Sequence, residues 1–474
     1  MAAALGICLA GAALRLAAVP RLLGDLDSVN FARGLHGFDV FAQAPHFPGY
    51  PVLIALSQLT RALGVDNDVW ALALPGIVLW PLAGMLLFAG VRRAAGQWPA
   101  FGALIVSSVA PGVAIAGGWP CSEGLGLSIL CAAVGVMTLA PAWGPAAGTL
   151  AMGLMLGVRL SWWPVVAAVG VALLWRHRDQ SVRLLGAGAF GVLVWLLPML
   201  VMFDPQQLLA LGQGFGHGHV FGWGGTALGD GAATLLQRGG DALWALWVVG
   251  LGGSHGGGSA VAELCVSMIA AGGFALVAAS RDRDRWVAGA LLVCVPYAIW
   301  LVGFQNVSKA RHVLPLLPVV GALIGAGLGG SRAGRMAMPL LAVALCAIST
   351  PRALTQANHA VPAVALARWV TDTRAPEGLM IFAGQEARVF ERYAPMYRVV
   401  RPDSAEVLVK ETRRFAAMGV EVLVTSSAPG YERVADRVTP ARSFSFPDSV
   451  RPHASELSVG RFEVAAVPQP GAVL

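Results

Sequence analysis

Long apolar segments recur along the first 350 residues, and they constrain the possible folds more than any other feature. Most are close to the roughly 20 residues that an α-helix needs to cross the hydrocarbon core of a bilayer. Charged residues make up only 12% of the chain, whereas soluble domains carry roughly 25%. So few charges cannot cover a large soluble protein. We therefore predict a polytopic α-helical membrane protein.

The apolar segments predict about eleven transmembrane helices. The segments 146–158 and 161–175 are the two shortest. The alternative to two separate spans is that the turn GVRLSWWP between them is buried inside the protein. The first segment lacks a basic flank and a clear cleavage site, so we interpret it as a retained helix rather than a signal peptide. The expected helices are 4–20, 69–91, 99–116, 122–140, 146–158, 161–175, 184–203, 259–279, 286–304, 312–329 and 336–350.

Arginines between the apolar segments predict the orientation of the chain. With eleven helices they share one side, which the positive-inside rule makes cytoplasmic. They are Arg92, Arg93, Arg176, Arg178, Arg183, Arg281, Arg283, Arg285, Arg332 and Arg335. The extracytoplasmic side then holds the 21–68 loop, Glu123, residues 204–258, the Lys309–His312 turn and the chain after 350. The net charge of +7 is explained by the cytoplasmic loops, since no basic stripe interleaved with aromatics indicates nucleic acid.

Residues 204–258 are rich in glycine, and we expect them to be flexible, with a short interfacial helix over 240–252. His217 and His219 are spaced as two ligands of a divalent metal that Asp230 would complete. The alternative is a mobile loop with incidental histidines, which we favour because three convergent ligands are not visible. The six cysteines lie in or at the edge of apolar segments without zinc-site spacing, so they are interpreted as core residues.

The composition changes near residue 351, where charges and β-branched runs appear. We predict a transmembrane domain over 1–350, with 21–68 as its first outer loop, and a small extracytoplasmic α/β domain over 351–474. Expected helices are 361–373, 385–393 and 404–418, expected buried strands are 378–384 and 420–427, and 456–467 has the alternation of a hairpin or edge strand. No GxGxxG or P-loop sequence marks a nucleotide site, so we expect no nucleotide.

Acidic residues at the outer membrane face are the first candidates for chemistry. Asp25 and Asp27 follow the first apolar segment. A carboxylate there can act as a general base toward a hydroxyl. The alternative is a solvated acid at the end of the first helix. Glu123 opens the fourth apolar segment, and an acid there is costly unless it is functional or favoured by the helix dipole. Arg15 lies inside the first segment and is expected to pair with one of these acids or to extend its charge to the interface.

Four short motifs together resemble the GT-C superfamily of integral-membrane glycosyltransferases. In the first, Asp27 is followed four positions later by Phe31 and then by the turn HFPGYP, as in the first outer loop of that superfamily. The other motifs are WPCSEGLGL with Glu123, GVRLSWWP with Arg159, and SKARHVLPLLP with Lys309 and Arg311. The spacing is most similar to the branch of protein O-mannosyltransferases and lipid A aminoarabinose transferases.

The resemblance implies an inverting transfer of a sugar from a polyprenyl-phosphate donor to a glycan, lipid or protein hydroxyl outside the cytoplasm. Asp27 matches the catalytic acid of the family because Phe31 keeps the four-residue offset, and Asp25 is the second candidate. Glu123 is implied as a further catalytic acid that positions the acceptor or a metal. Arg311 is implied in binding the donor phosphate, together with Lys309, His46 and Arg159.

The chain departs from the family pattern at two places. His46 and Phe47 replace a Lys–Pro–Pro run, and His312 replaces a tyrosine, so the branch and the sugar stay open. A transporter or flippase of lipid-linked substrates with a soluble cap is the alternative function, although no convincing inverted repeat is visible. The third candidate function is that of an enzyme-like assembly factor, which binds prenyl phosphate without turnover.

Overall fold

The computed structural model describes residues 1–229, 234–254, 260–446 and 456–463, which form two compact units. The first unit contains Met1–Arg21 and Phe31–Asn358. The second contains Leu22–Asn30 and the chain from His359 onward.

The first unit is helical throughout its described part. Its α-helices are α1 (Ala2–Ala17), α2 (Leu26–His36, which begins in the second unit), α3 (Pro51–Ala62), α4 (Asp68–Ala95), α5 (Gln97–Val109), α6 (Pro111–Gly118), α7 (Ser122–Leu139), α8 (Gly144–Leu156), α9 (Trp163–Arg176), α10 (Ser181–Met202), α11 (Pro205–His217), α12 (Leu235–Trp244), α13 (Val261–Ala278), α14 (Arg283–Phe304), α15 (Leu317–Gly329) and α16 (Arg332–Asn358). Short 3-10 helices are Leu160–Trp162, Arg178–Gln180 and Ala310–Leu316, and π-helices are Gly218–Gly222 and Ala245–Gly250.

Seven helical stretches in the described part are long and apolar enough to cross a membrane. They are Asp68–Ala95, Ser122–Leu139, Arg178–Met202, Val261–Ala278, Arg283–Phe304, Ala310–Gly329 and Arg332–Thr373. An eighth arises if α5 and α6, which meet at a bend of 48°, are one broken span. The prediction of an integral membrane protein is confirmed, whereas the count of about eleven stays a prediction, because α1, α8 and the stretch Leu160–Arg176 are shorter.

Glycines allow the long helices to approach until their backbones touch. A Cβ atom on Gly102 of α5 would collide with the carbonyl oxygen of Gly321 in α15. A Cβ on Gly90 of α4 would likewise collide with the carbonyl of Gly135 in α7. Small residues drive helix association in lipid, where apolar side chains gain nothing by leaving an apolar solvent. These contacts hold together the helices that carry the candidate site.

The glycine-rich segment is ordered in its described part, so the expectation of flexible chain over 204–258 is wrong there. Asp204 caps α11 by accepting hydrogen bonds from the backbone N–H groups of Gln206 and Gln207. Thr234 and Gln237 form a capping box at the start of α12, which continues as a π-helix through the expected 240–252 helix. Side chains between the glycines supply the packing that the glycines lack. Asp230 and most of the run GGSHGGGS lie outside the described residues.

The second unit is an α/β structure. Its elements are α17 (Pro362–Thr373), β1 (Leu379–Phe382), α18 (Ala387–Tyr393), β2 (Arg398–Val400), α19 (Ala405–Ala417), β3 (Glu421–Thr425), β4 (Val438–Ser445) and β5 (Glu456–Phe462), with 3-10 turns at Tyr431–Arg433 and Ala435–Arg437. The strands form one sheet in the order β2-β1-β3-β5-β4. The strands β1, β2 and β3 are parallel, and β5 runs antiparallel to β3 and β4.

Each helix and buried strand expected between 361 and 427 has a counterpart at nearly the same position. The segment expected as a hairpin or edge strand over 456–467 forms a hairpin with β4, and β4 rather than β5 lies at the sheet edge. Residues 464–467 lie outside the described part. The strands β2 and β4 had no counterpart among the expected elements, because most of their residues are exposed and show no apolar alternation.

We predict that Gly102→Ala destabilises the protein by about 1–3 kcal/mol or more, because the added methyl group forces α5 away from α15. The measurement is thermal unfolding of the purified protein in detergent. Gly289→Ala in α14 is the matched control, since no heavy atom lies within 4 Å of its added Cβ. Equal midpoints for the two variants would contradict a backbone contact at Gly102.

Candidate active site

A buried carboxylate joins two arginines in the first unit. Glu123 Oε1 lies 2.8 Å from Arg159 NH1 and 3.1 Å from Arg311 Nε. The Glu123 and Arg159 side chains are almost fully buried, whereas the Arg311 side chain is 21% exposed. Arg159 NH1 also donates a hydrogen bond of 2.8 Å to Ser122 Oγ. The cluster of Glu123, Arg159 and Arg311, here called the ionic triad, therefore has one side open to an incoming group.

Each member of the triad lies at the start of a helix or in a short segment between helices. Glu123 occupies the first turn of α7, where the helix dipole favours a negative charge. Arg159 stands between α8 and the 3-10 helix Leu160–Trp162, and Arg311 lies in the 3-10 helix Ala310–Leu316. The hydroxyl of Tyr297 in α14 donates a 2.6 Å hydrogen bond to the carbonyl of His312, which fixes the turn that carries Arg311.

Cations outnumber anions within the triad. Two guanidinium groups contact one carboxylate. The positive charges of Arg159, Arg311 and Lys309 all act on the ring of His312. Cations concentrated behind low-dielectric walls attract an anion more strongly than they would in water. The arrangement is suited to binding a phosphate group.

A column of rings connects Phe31 and His46 to His219. Phe31 stacks on His46 at 5.6 Å between ring centroids, and Phe215 of α11 lies at 6.1 Å from His46 on nearly parallel planes. Phe215 also stacks on His219 at 6.4 Å. His46 Nε2 lies 3.1 Å from the hydroxyl of Tyr50. The glycine-rich segment thus lies between His46 and the residues near Lys309.

His219 is held as a neutral hydrogen-bond donor. Its Nε2 lies 2.8 Å from the carbonyl oxygen of Phe304, which requires the proton to be on Nε2. Burial lowers the pKa of His219 below its ordinary value, and the positive charge of Lys309 lowers it further. The His219 ring is therefore held by a hydrogen bond to the backbone of Phe304 at the carboxyl end of α14.

Asp25 and Asp27 belong to the second unit, together with the rest of Leu22–Asn30. The backbone N–H of Leu23 donates a 2.8 Å hydrogen bond to the hydroxyl of Tyr393 at the end of α18. Asp25 Oδ1 accepts a 2.8 Å hydrogen bond from the backbone N–H of Ser28, whose hydroxyl lies 3.3 Å from the Asp25 backbone nitrogen. Asp25 therefore caps the start of α2, and Asp27 stands in the first turn of that helix.

The structure brings Glu123, Arg159 and Arg311 together from three separate motifs. Their roles stay predictions, as do those of Asp25, Asp27, His46 and Lys309. Sequence reasoning missed Ser122 and Tyr297. Ser122 is adjacent to Glu123 in the motif WPCSEGLGL, in which the acid is the more prominent residue, and Tyr297 is a single hydroxyl inside an apolar helix with no local signal.

Arg15 differs from its expectation. Its side chain is fully buried and lies over the Trp80 indole at 3.9 Å from the ring centroid. Its guanidinium donates to Ser128 Oγ and to the carbonyl of Ser107, at 3.4 and 3.2 Å. Neither the expected acid partner nor an extension to the interface is observed. The ring and the two oxygens replace a carboxylate, because a desolvated cation gains energy from both.

No group of three or more His, Cys, Asp or Glu side chains is placed to hold a metal within residues 1–229, 234–254, 260–446 and 456–463. The ring of His217 contacts Phe221, at 5.4 Å between centroids, and His219 contacts Phe304. The expected third ligand, Asp230, lies outside the described residues. The Glu123 carboxylate contacts two guanidinium groups, and its role toward the acceptor or a metal stays a prediction.

Comparison with solved structures identifies the architecture. ArnT from Cupriavidus metallidurans, solved with undecaprenyl phosphate bound, aligns over 97% of this chain and 97% of its own, with a TM-score of 0.56 and 14% identity. The chain has a GT-C fold. The apo structure of the same ArnT aligns over the same shares with a TM-score of 0.52 and 14% identity. The resemblance found in the four sequence motifs is thus confirmed at the level of fold.

No protein-family model matches the sequence. No curated protein matches it either.

We predict that Glu123→Gln lowers the free energy of unfolding by about 3–5 kcal/mol, because it leaves two buried guanidinium groups without their counter-charge. Glu411→Gln is the control, since Glu411 pairs with the exposed Arg414 of α19 and such pairs contribute about 0–1 kcal/mol. Thermal unfolding in detergent measures both. A Glu123→Gln variant as stable as the control would show that the triad does not depend on its carboxylate.

Proposed function

We propose that this protein is an integral-membrane glycosyltransferase that moves a sugar from a polyprenyl-phosphate donor to a hydroxyl of an extracytoplasmic glycan, lipid or protein. The observation that carries the proposal is the ionic triad, an anion-attracting cluster in a chain with the fold of a protein solved with undecaprenyl phosphate bound. Residues 1–350 form the transferase part and residues 351–474 an extracytoplasmic domain in this proposal. No nucleotide is needed, because the prenyl phosphate itself activates the sugar.

The three members of the triad have different tasks. Arg311 is the partly exposed cation, so its guanidinium binds the donor phosphate. Arg159 is buried and held by Ser122, so it adds positive charge without moving. Glu123 positions both arginines and prevents their mutual repulsion. Lys309 adds charge beside them, and His46 supports the first loop through its stack with Phe31.

The reaction is an in-line displacement at the anomeric carbon. Asp27, with Asp25 as the alternative, takes the proton of the acceptor hydroxyl, whose oxygen then attacks the anomeric carbon from the face opposite the phosphate. The bond between that carbon and the phosphate oxygen breaks, and its electron pair leaves with the phosphate. The arginines stabilise the negative charge that grows on the leaving group, which is electrostatic catalysis. One displacement inverts the anomeric configuration.

We predict that Asp27→Asn lowers the rate of sugar transfer by about 10²–10⁴-fold, because an amide cannot accept the hydroxyl proton. Asp25→Asn is the matched control. Asparagine caps helices as well as aspartate does, so the start of α2 is retained and the rate changes little. The assay is transfer from radiolabelled polyprenyl-phosphate sugars in membranes that contain each variant. Full activity of Asp27→Asn would refute its role as the base, and loss in Asp25→Asn alone would make Asp25 the candidate.

We predict that Arg311→Gln weakens binding of undecaprenyl phosphate by about tenfold or more, since a hydrogen bond to a charged group contributes about 1.5–3 kcal/mol. Native mass spectrometry of the purified protein with this lipid measures the change. Arg335→Gln at the start of α16 is the control, because it removes an arginine that is expected on the other side of the membrane. Equal loss in both variants would indicate general attraction to the lipid charge rather than a site at Arg311.

A further inference from the structure

The order of the parallel strands creates a switch point in the α/β unit. From β1 the chain passes through α18 to β2 on one side, and then through α19 to β3 on the other side of β1. The connections therefore diverge from the gap between the carboxyl ends of β1 and β3. In open α/β sheets, ligands bind in the crevice outside such a gap.

Polar residues occupy this gap. Gly384, Gln385 and Glu386 follow β1, and Ser426 and Ser427 follow β3. Glu386 is buried, whereas Gln385, Ser426 and Ser427 are exposed. The close approach of the two chain ends requires Gly384, because a Cβ there would collide with the carbonyl oxygen of Ser427. A buried acid is thus surrounded by exposed groups that both donate and accept hydrogen bonds.

The Glu386 carboxylate uses only one of its oxygens in the described part of the chain. Oε1 accepts hydrogen bonds from the backbone N–H of Gly384, at 2.9 Å, and from the hydroxyls of Thr425 and Ser427. Within residues 1–229, 234–254, 260–446 and 456–463 no donor reaches Oε2. Oε2 is not itself enclosed, so it is available to a donor from outside the chain.

We propose that this switch point binds a neutral glycosyl group, with Oε2 of Glu386 accepting a hydrogen bond from a sugar hydroxyl and with Gln385 and Ser427 contacting a neighbouring hydroxyl. A carboxylate repels phosphate and acidic ligands, and the turn GQE lacks the glycine pattern of a dinucleotide site. Metal binding is not favoured by a single acid beside hydroxyls. The proposal goes beyond the transfer reaction and holds whether or not the chain transfers a sugar.

The test uses the full chain in a detergent that has no sugar head group. The probes are methyl α-D-mannopyranoside, methyl β-D-glucopyranoside and methyl β-L-arabinopyranoside at about 10 mM, a range suited to weak binding. Each is paired with its permethylated form, which cannot donate a hydrogen bond. Saturation-transfer NMR is expected to show binding of at least one free glycoside and none of its permethylated counterpart.

Glu386→Gln tests the acid without removing the turn. Its side-chain oxygen can still accept from Gly384, Thr425 and Ser427, but an amide nitrogen replaces Oε2 and cannot accept. We expect Glu386→Gln to weaken binding of the glycoside by about tenfold and Glu411→Gln to leave it unchanged. Gln385→Ala alters an exposed side chain and is expected to weaken binding several-fold, which keeps the test valid if Glu386→Gln fails to fold. Binding of none of the three glycosides, equal binding of the permethylated forms, or no weakening in a folded Glu386→Gln or Gln385→Ala would overturn the proposal.

Discussion

Glu123 lies between the guanidinium groups of Arg159 and Arg311, and this shared carboxylate is the constraint that organises the helical unit. Two arginines cannot be buried side by side without a counter-charge. The carboxylate in turn depends on α7, whose first turn carries it and whose Ser128 accepts a hydrogen bond from the buried Arg15. Chain segments far apart in sequence therefore meet around one ion cluster. The same cluster combines two guanidinium groups with one carboxylate, so the contact that stabilises the unit also concentrates cations in one place.

The close approach of glycines explains how apolar helices can hold that cluster in place. In α4, α5, α7 and α15 the contacts are made by backbone atoms, so the helices have little freedom to slide. Other helices, such as α10 and α14, expose most of their apolar side chains and are suited to lipid. The unit thus has a rigid centre of closely packed helices, and the helices around it expose apolar side chains that suit lipid. A charged site at the edge of the centre loses little entropy when its ligand binds.

The sequence was informative wherever a single physical rule decides the outcome. Segment length and hydropathy predicted the membrane helices, and apolar runs bounded by turns predicted β1 and β3. Motif residues predicted three members of the triad, although composition alone does not show that they touch. The failures share a different cause. Residues 205–222 contact distant segments through Phe215, which stacks on His46, and through His219, which bonds the carbonyl of Phe304. Arg15 is satisfied by an indole and two oxygens rather than by an acid. Such long-range partners leave no trace in local sequence.

The α/β unit is assembled from both ends of the chain, since Leu22–Asn30 joins the residues that follow Asn358. A ribosome produces Leu22–Asn30 before the membrane helices and produces the residues that follow Asn358 after them. The early piece carries Asp25 and Asp27 and has to persist without its permanent neighbours while every membrane helix is inserted. Completion of the α/β unit therefore has to follow synthesis of the helical unit, and Asp25 and Asp27 reach their folded surroundings only after that.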